Sequence, residues 1–247
     1  MEELKTGIVL EHVNKSFKAK HVLNDIDISI AKGGIYGLLG PSGCGKTTTV
    51  KIITGILKAD SGTVTVSGHR MPDIEALQSM GYMAQSDALY LTLSAYENLK
   101  FFGQIYGLKG AALEQRIEAV LTLMNLESES KTTVGAFSGG MKRRLSLAAC
   151  LLPEPEVLIL DEPTVGIDPV LRESIWAELR KLAETGVTIL ITTHVMDEAA
   201  KCDRLAMMRQ GRIIAEGTPQ EIVAGSGMDT LEKAFIYYGK ERGVDEN

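Results

Sequence analysis

A glycine-rich segment, Gly40 to Thr48, constrains the fold of this chain more than any other feature. Its sequence, GPSGCGKTT, fits the pattern G-x-x-x-x-G-K-[ST] without a mismatch. The apolar run IYGLLG precedes it, and KTTTVKIITGIL, which has the pattern of a helix, follows it. A loop in this context turns its backbone N–H groups onto a phosphate. The sequence therefore predicts a buried strand, a phosphate-binding loop and a helix.

Each position of this loop has an expected task. The glycines free the backbone to turn inward, Lys46 is expected to reach the β/γ oxygens of ATP, and the Thr47 hydroxyl to ligate Mg²⁺. Cys44 lies near a helix N-terminus, where the pKa of a thiol tends to fall, so alkylation blocked by ATP and loss of activity are expected there. The predicted nucleotide-binding residues of the loop are Gly40, Pro41, Ser42, Gly43, Cys44, Gly45, Lys46, Thr47 and Thr48.

Two acids follow another apolar run, VLILDEP at 157–163. A phosphate-binding loop needs a second acid for the metal at the end of a neighbouring buried strand. Asp161 is expected to hold Mg²⁺ through water, and Glu162 to orient and deprotonate the attacking water. The alternative for such a pair is a solvated turn. A base at this place favours hydrolysis over phosphoryl transfer.

His194 and Gln85 are the other candidate catalytic residues. His194 ends VTILITTH, where a parallel strand close to the loop would place it over the γ-phosphate. The alternative interpretation of His194 is a structural histidine that caps an element or lies at the edge of the core. Gln85 follows the short strand GYMA and is expected to contact the metal and the water.

Hydrophobic patterns indicate an α/β fold. Alternation at 26–30 and 63–67 predicts half-buried strands, and the runs 35–40, 157–161 and 187–193 predict fully buried parallel ones. Asp168 and Pro169 are expected to begin a helix that Gly186 stops. This βαβ unit predicts a parallel sheet covered by helices.

The middle of the chain has helical periodicity instead. One stripe holds Leu113, Ile117, Val120, Leu121 and Met124, and a helical insertion is predicted over 87–150. Near the C-terminus, TPQE at 218–221 predicts a capping box. A last helix over about 229–239 belongs to a C-terminal segment, 225–247, that ends in an acidic tail.

Composition narrows the classes of partner. The formal net charge is −6, which argues against nucleic acid as the main partner.

The three cysteines are far apart, without CxxC spacing, so a reducing cytosol is expected rather than a disulfide framework or zinc site. The polar start MEELKTG does not resemble a signal peptide. No apolar run approaches the length of a membrane span, so at a membrane another chain would have to cross it.

A second anion site is predicted at Ser138, Gly139 and Gly140, where a helix begins. Two glycines there lower stability unless bare backbone is needed, and helix N-termini bind anions. Lys142, Arg143 and Arg144 follow; they could steer phosphates, but two of them are expected to form a solvated helix face.

Together these motifs, with GIDP at 166–169, occur in the order of an ABC ATPase, and the chain resembles the ATP-binding subunit of an ABC transporter. The resemblance implies one domain over 1–247 with a P-loop NTPase (RecA-like) parallel-sheet core, an N-terminal antiparallel β subdomain and the helical insertion. FSGGMKRRL, with Phe137 and Met141 in place of the common Leu and Gln, resembles ABC-2-type exporters, including drug-resistance ATPases. Met141 cannot make a glutamine's polar contacts.

The resemblance also implies a head-to-tail dimer, of two copies or of a copy and a homologue. Ser138, Gly139 and Gly140 of one chain would then bind the γ-phosphate of the other chain's ATP. Asp168 would link the two sites, Thr48 would contact the α-phosphate, and Phe17 would stack on adenine. An ordinary strand aromatic is the alternative for Phe17.

A membrane permease subunit is the implied partner, docking beside Gln85 and residues 90–106, where five aromatics crowd together. The alternative interpretation is that these aromatics form the hydrophobic core of the helical insertion. The expected location is the cytoplasmic face of the cell membrane. A soluble ABC ATPase for translation or DNA repair, an importer subunit, and a regulator of a membrane complex remain alternatives. A P-loop kinase is disfavoured by Glu162, the Ser-Gly-Gly helix and His194 together.

Overall fold

The structure is a computed structural model, and it describes residues 6–86, 88–241 and 243. The first five residues, the acidic tail over 244–247 and Asp87, at which the predicted insertion begins, lie outside the described part.

The predicted runs 35–40, 63–67, 157–161 and 187–193 form strands with shifts of at most two residues at their ends, whereas the run 26–30 lies within a longer strand. The strands are β1 Thr6–Phe17, β2 Lys20–Ala31, β3 Gly34–Leu39, β4 Ser61–Val66, β5 His69–Arg70, β6 Met80–Met83, β7 Val157–Asp161, β8 Thr188–Thr193, β9 Arg204–Arg209 and β10 Arg212–Gly217.

The helices are α1 Lys46–Ile53, α2 Ile74–Gln78, α3 Ala95–Ile105, α4 Gly110–Leu123, α5 Gly139–Leu151, α6 Pro169–Glu184, α7 Met196–Ala199, α8 Pro219–Ser226 and α9 Leu231–Glu241. A short 3₁₀ turn, Val134–Ala136, precedes α5.

The larger sheet has the strand order β10-β9-β3-β8-β7-β6. All its pairs are parallel except β9 with β10. Parallel strands end at one edge, so the loop after β3 and the residues after β6, β7 and β8 meet there. The prediction that the strand carrying Asp161 neighbours β3 is wrong, because β8 lies between them.

The smaller sheet is antiparallel, in the order β2-β1-β4-β5. Ile26, Ile28 and Ile30 are buried on β2 while Asp27 and Ser29 are exposed, as their alternation predicted. The core of this sheet continues into the face of the larger sheet through Tyr36, Leu38 and Leu190.

Helices α3, α4 and α5 lie between β6 and β7 in the chain. The predicted stripe on α4 and Met124 are buried. These residues share one hydrophobic cluster with Leu158 and Ile189 of the large sheet. The helices therefore pack onto the sheet without a separate core, and the limits of the insertion, 87–150, stay a prediction.

The expected helix caps are present. The Asp168 carboxylate accepts from Leu171 N at 3.0 Å, with Pro169 next to it, and Thr218 with Glu221 forms the capping box of α8. The antiparallel hairpin β9–β10 was not predicted, because its two short strands carry charged residues at their ends and resemble loops.

Among the described residues, no helix combines the length and the apolar character that a bilayer crossing requires.

Candidate active site

The loop after β3 has the tight backbone that its glycines predicted. Gly45 has φ +117°, and a Cβ there would lie 2.7 Å from Leu23 Cδ2. A Cβ on Gly40 would lie 2.3 Å from the carbonyl oxygen of Met208. Neither position therefore accepts a larger residue without a shift of the backbone.

Four predicted catalytic side chains meet at this loop. Lys46 Nζ lies 3.6 Å from Glu162 Oε1, and His194 Nδ1 lies 3.2 Å from the same oxygen. Gln85 Nε2 donates to Glu162 Oε2 at 3.3 Å. Lys46 Nζ also donates to the carbonyls of Gly40 at 2.7 Å and Pro41 at 3.1 Å. The carboxylate of Glu162 is thus the centre of the group.

The backbone conformation of Glu162 and a hydrogen bond to its N–H fix the position of this residue. It follows β7 directly and has φ +51°, a left-handed conformation that is unfavourable for a residue with a side chain. Its N–H donates to Thr192 Oγ1 at 3.0 Å. Such strain persists where surrounding contacts enforce it, and it is frequent at functional sites.

Asp161 is completely buried at the end of β7. Its Oδ1 accepts from Thr192 Oγ1 at 2.5 Å, whereas Oδ2 accepts no hydrogen bond from the described residues. A buried carboxylate oxygen without a donor is unfavourable unless a cation or water reaches it. The Oδ2 atom of Asp161 is therefore suited to bind a hard cation such as Mg²⁺, which prefers oxygen ligands.

A pocket of about 160 Å³ opens between the loop, Gln85 and Glu162. Its lining residues are Val22, Ser42, Gly43, Gly45, Lys46, Thr47, Thr48, Gln85 and Glu162. Among the described residues that line it, none comes from 138–140. The chain thus brings the predicted loop together with Gln85 and Glu162, and residues 138–140 do not line this pocket.

Ser138 is the N-cap of α5, and its Oγ accepts from Met141 N at 3.2 Å. A Cβ at Gly139 would meet nothing within 4 Å, and one at Gly140 only Leu171 Cδ2 at 3.8 Å. The first turn of α5 therefore presents bare backbone outward, close to Leu171 in the first turn of α6, the helix that the exposed Asp168 caps.

Phe17 is 47% exposed at the end of β1. The ammonium of Lys15 lies 5.6 Å from the centre of its ring. Its strand pairs with β2, which carries the pocket residue Val22. The ring is thus largely exposed on its strand, and its stacking on adenine stays a prediction.

Of the three cations after Met141, Arg143 is buried, whereas Lys142 and Arg144 are half-buried. The Arg143 side chain is buried, with 6% of the residue exposed. Arg144 Nη1 donates to the carbonyls of Met124 and Asn125, each at 2.9 Å. Helical spacing could have indicated the burial of Arg143, because it lies three and four residues before Ser146 and Leu147, which are buried on the same helix.

Arg143 donates to main-chain carbonyls on two segments around the site. Nε donates to Pro163 at 2.9 Å, Nη2 to Asp161 at 2.9 Å and Glu162 at 2.5 Å, and Nη1 to Ala84 at 3.1 Å and Gln85 at 3.0 Å.

Glu198 was also missed by sequence reasoning. Its carboxylate, buried to 3% exposure, accepts from Thr193 Oγ1 at 2.6 Å and from Thr164 Oγ1. It thereby joins the residue before His194 to the loop before Asp168. No local pattern identified it, because it lies on a helix of only four residues.

The expectation of a reactive Cys44 is wrong. The residue is only 4% exposed. Burial raises the pKa of its thiol, and this outweighs the opposing effect of the Lys46 ammonium. Burial likewise raises the pKa of Cys150 and of Cys202 to about 12. The side chain of Cys44 belongs to the hydrophobic cluster beneath the loop and does not line the pocket.

We therefore expect native Cys44 to resist thiol alkylation at neutral pH, with or without ATP. A raised pKa leaves less thiolate at pH 7, so the alkylation rate should keep rising with pH beyond the pKa of an ordinary thiol. Mass spectrometry of peptides after iodoacetamide treatment measures this. Rapid labelling of the folded protein at pH 7, suppressed by ATP, would contradict it.

An apolar groove lies behind Gln85. It has a volume of about 190 Å³ and is lined by Tyr82, Met83, Ala84, Ser86, Ala88, Leu89, Phe102, Tyr106, Ser146, Ala149 and Cys150. Tyr90, Leu91, Phe101 and Ile105 are exposed nearby in the chain. The aromatics over 90–106 thus belong partly to the core and partly to an exposed surface.

Comparison with known proteins places these residues in context. A family model described as ABC transporter matches residues 23–165. The linearmycin resistance ATP-binding protein LnrL of Bacillus subtilis is 42% identical over 90% of this chain and 72% of its own length. The Nod factor export ATP-binding protein I of Burkholderia lata is 42% identical over 91% of this chain and 75% of its own.

The chain spans a smaller part of one relative. It covers 41% of the probable multidrug ABC transporter ATP-binding protein YbhF of Escherichia coli, at 39% identity over 94% of this chain.

Solved structures agree in fold. An ATP-binding subunit of an ABC transporter superposes with a TM-score of 0.87 at 28% identity, over 94% of this chain and 99% of that one. The dimeric, post-hydrolysis state of the ATP-binding cassette MJ0796 bound to ADP and Pi superposes with a TM-score of 0.79 at 26% identity, over 85% of this chain and 98% of that one.

Proposed function

The chain belongs to the ABC transporter family of ATP-binding proteins, and from this premise we propose that it is the ATP-hydrolysing subunit of a membrane exporter. Family membership confirms the expected P-loop ATPase fold and activity class. The site-level observation that carries the proposal is the Glu162 carboxylate, 3.6 Å from Lys46 of the loop. Export is supported by relatives that are named for linearmycin resistance and Nod factor export.

In the proposed site the loop over 40–48 holds the triphosphate of ATP. Backbone N–H groups of the loop donate to the phosphates, Lys46 contacts the β/γ oxygens and Thr48 the α-phosphate. Phe17 stacks on adenine, which its exposed ring and position beside β2 support.

Glu162 is the proposed general base. Its carboxylate orients the attacking water and accepts its proton, while His194 and Gln85, at 3.2 and 3.3 Å, hold the carboxylate and the water in line with the γ-phosphate. The positive charge of Lys46 stabilises the charge that develops on the phosphoryl oxygens.

Thr47, Gln85 and Asp161 are the proposed residues for Mg²⁺. The unpaired Oδ2 of Asp161 and the place of Thr47 and Gln85 in one pocket support this set. When bound, Mg²⁺ neutralises charge on the β and γ oxygens. Thr192 holds the other Asp161 oxygen and so fixes the direction of the carboxylate.

Ser138, Gly139 and Gly140 are proposed to bind the γ-phosphate of a partner chain's ATP. The outward-facing first turn of α5, which does not line the chain's own pocket, supports a shared site. Asp168, on the neighbouring helix cap, would link the two sites. A dimer bound to ADP and Pi is known for a structural relative.

The groove behind Gln85 is the proposed docking site of an integral-membrane subunit. Its lining is mostly apolar and includes Ala84 and Ser86, the chain neighbours of Gln85, which lines the ATP site. Apolar grooves of this kind accept amphipathic helices. The chain would then act at the cytoplasmic face of the membrane as a peripheral subunit.

Replacement of Ala88 by Glu tests this assignment. A carboxylate in an apolar interface is strongly unfavourable, so membrane association should fall by at least about tenfold while ATPase activity remains. The measurement is the fraction of the chain that sediments with membranes of its own cells.

Ala111→Glu is the matched control, because Ala111 is exposed at the start of α4, away from the groove lining. Equal sedimentation of the two variants would contradict the docking site. A wild-type chain found entirely in the soluble fraction would favour a soluble ABC ATPase instead.

A further inference from the structure

Arg143 connects two parts of the active site that are far apart in sequence. Its guanidinium contacts carbonyls of residues 161–163 after β7 and of residues 84 and 85 after β6. The side chains of Glu162 and Gln85 emerge from these same residues, and they contact each other at 3.3 Å. Because a guanidinium is planar and rigid, it holds the two backbone segments at a set separation.

The location of Arg143 on α5 adds a second connection. Ser138 caps the N-terminus of this helix, five positions earlier in the sequence and about 7.5 Å away along the axis. One short, rigid piece of helix therefore carries both the outward anion site and the side chain that holds the chain's own acids.

We propose that Arg143 is a positioning residue that couples the two ATP sites of the dimer. Contact of Ser138–Gly140 with a partner's ATP fixes the position of the start of α5. Through its hydrogen bonds, Arg143 then fixes the backbone positions of Glu162 and Gln85 in its own chain. Each chain thus aligns its general base when it engages its neighbour's nucleotide. This inference rests on the shared-site function proposed above.

The variant Arg143→Lys tests the coupling. Lysine keeps the charge, but a single ammonium cannot span both backbone segments. Misplacement of a catalytic group by about 1 Å lowers turnover by about 100-fold, so kcat should fall by about 10- to 100-fold. KM for ATP should stay within about twofold, because the carbonyls that accept from Arg143 belong to residues 84, 85 and 161–163, outside the loop over 40–48. The Hill coefficient should fall to about 1.

Arg144→Lys is the matched control. Arg144 is the next residue of α5, and it donates to Met124 and Asn125 at the end of α4 rather than to the acids. Its kcat, KM and Hill coefficient should remain close to those of the wild type. Thermal unfolding of both variants, and ATP-dependent dimerisation of each in a Glu162→Gln background, should match.

The outcomes separate the two proposals. Hydrolysis by the wild type and its loss in Glu162→Gln test the proposed function alone. If that function holds, equal kcat and Hill coefficients in Arg143→Lys and Arg144→Lys overturn the coupling. Loss of the fold, or of the ATP-bound dimer, in Arg143→Lys also overturns it and assigns Arg143 a purely structural role.

Discussion

Replacement of Glu162 by Gln should lower ATP turnover by at least about 100-fold, the usual contribution of a general base. The amide has nearly the same shape but accepts no proton from water. It can keep contacts with His194 and Lys46, which lie 3.2 and 3.6 Å from Glu162 Oε1. ATP binding should therefore survive, and the variant should accumulate as a dimer loaded with ATP.

Two measurements check this expectation. Phosphate release gives the turnover, and size-exclusion chromatography with ATP and Mg²⁺ gives the oligomeric state. Glu118→Gln, an exposed substitution of the same kind on α4, is the control and should behave as wild type. A Glu162→Gln chain that stays monomeric with wild-type turnover would remove both the base assignment and the shared site.

Replacement of Gly139 by Asp should abolish the ATP-driven dimer. The carboxylate would stand where a partner's phosphate is expected, and like charges brought together in an interface cost several kcal/mol. Turnover should fall by at least about 100-fold, comparable to the loss of an anion-stabilising donor. The clearest assay is the Glu162→Gln background, in which the double variant should remain monomeric with ATP.

The same substitution should not harm the folded monomer. A Cβ at Gly139 meets nothing within 4 Å, and a negative charge in the first turn stabilises a helix. Thermal unfolding should therefore stay at or above the wild-type temperature. Ala112→Asp places the same charge in the first turn of α4 as a control. Unimpaired dimerisation of Gly139→Asp would refute the role of this helix start.

The phosphate-binding loop, the acid pair and the caps of α6 and α8 were predictable because each is encoded by a few consecutive residues. Gly45 can adopt the positive φ of the loop because it has no Cβ, and Asp168 caps a helix that starts at the next residue. The buried strands β3, β7 and β8 were equally predictable from the sequence, since strands covered on both faces are continuously apolar.

Other expectations failed where distant parts of the chain decide. Arg143 resembles a solvated cation in sequence, and only the carbonyls at the ends of β6 and β7 make its burial favourable. Cys44 lies at a helix start, which lowers a thiol pKa, but packing under the loop outweighs that effect. The order of the strands placed β8 between β3 and β7, so Thr192 came to hold Asp161.

By itself the sequence determined the phosphate loop, the identities of the acids and the periodicity of the elements, because these depend on neighbouring residues and on local backbone geometry. Only the tertiary structure decided which side chains surround Glu162, which cations are buried and which helix start faces outward. Those features depend on contacts between segments tens of residues apart, and their energies arise from burial and hydrogen bonding that no local pattern contains.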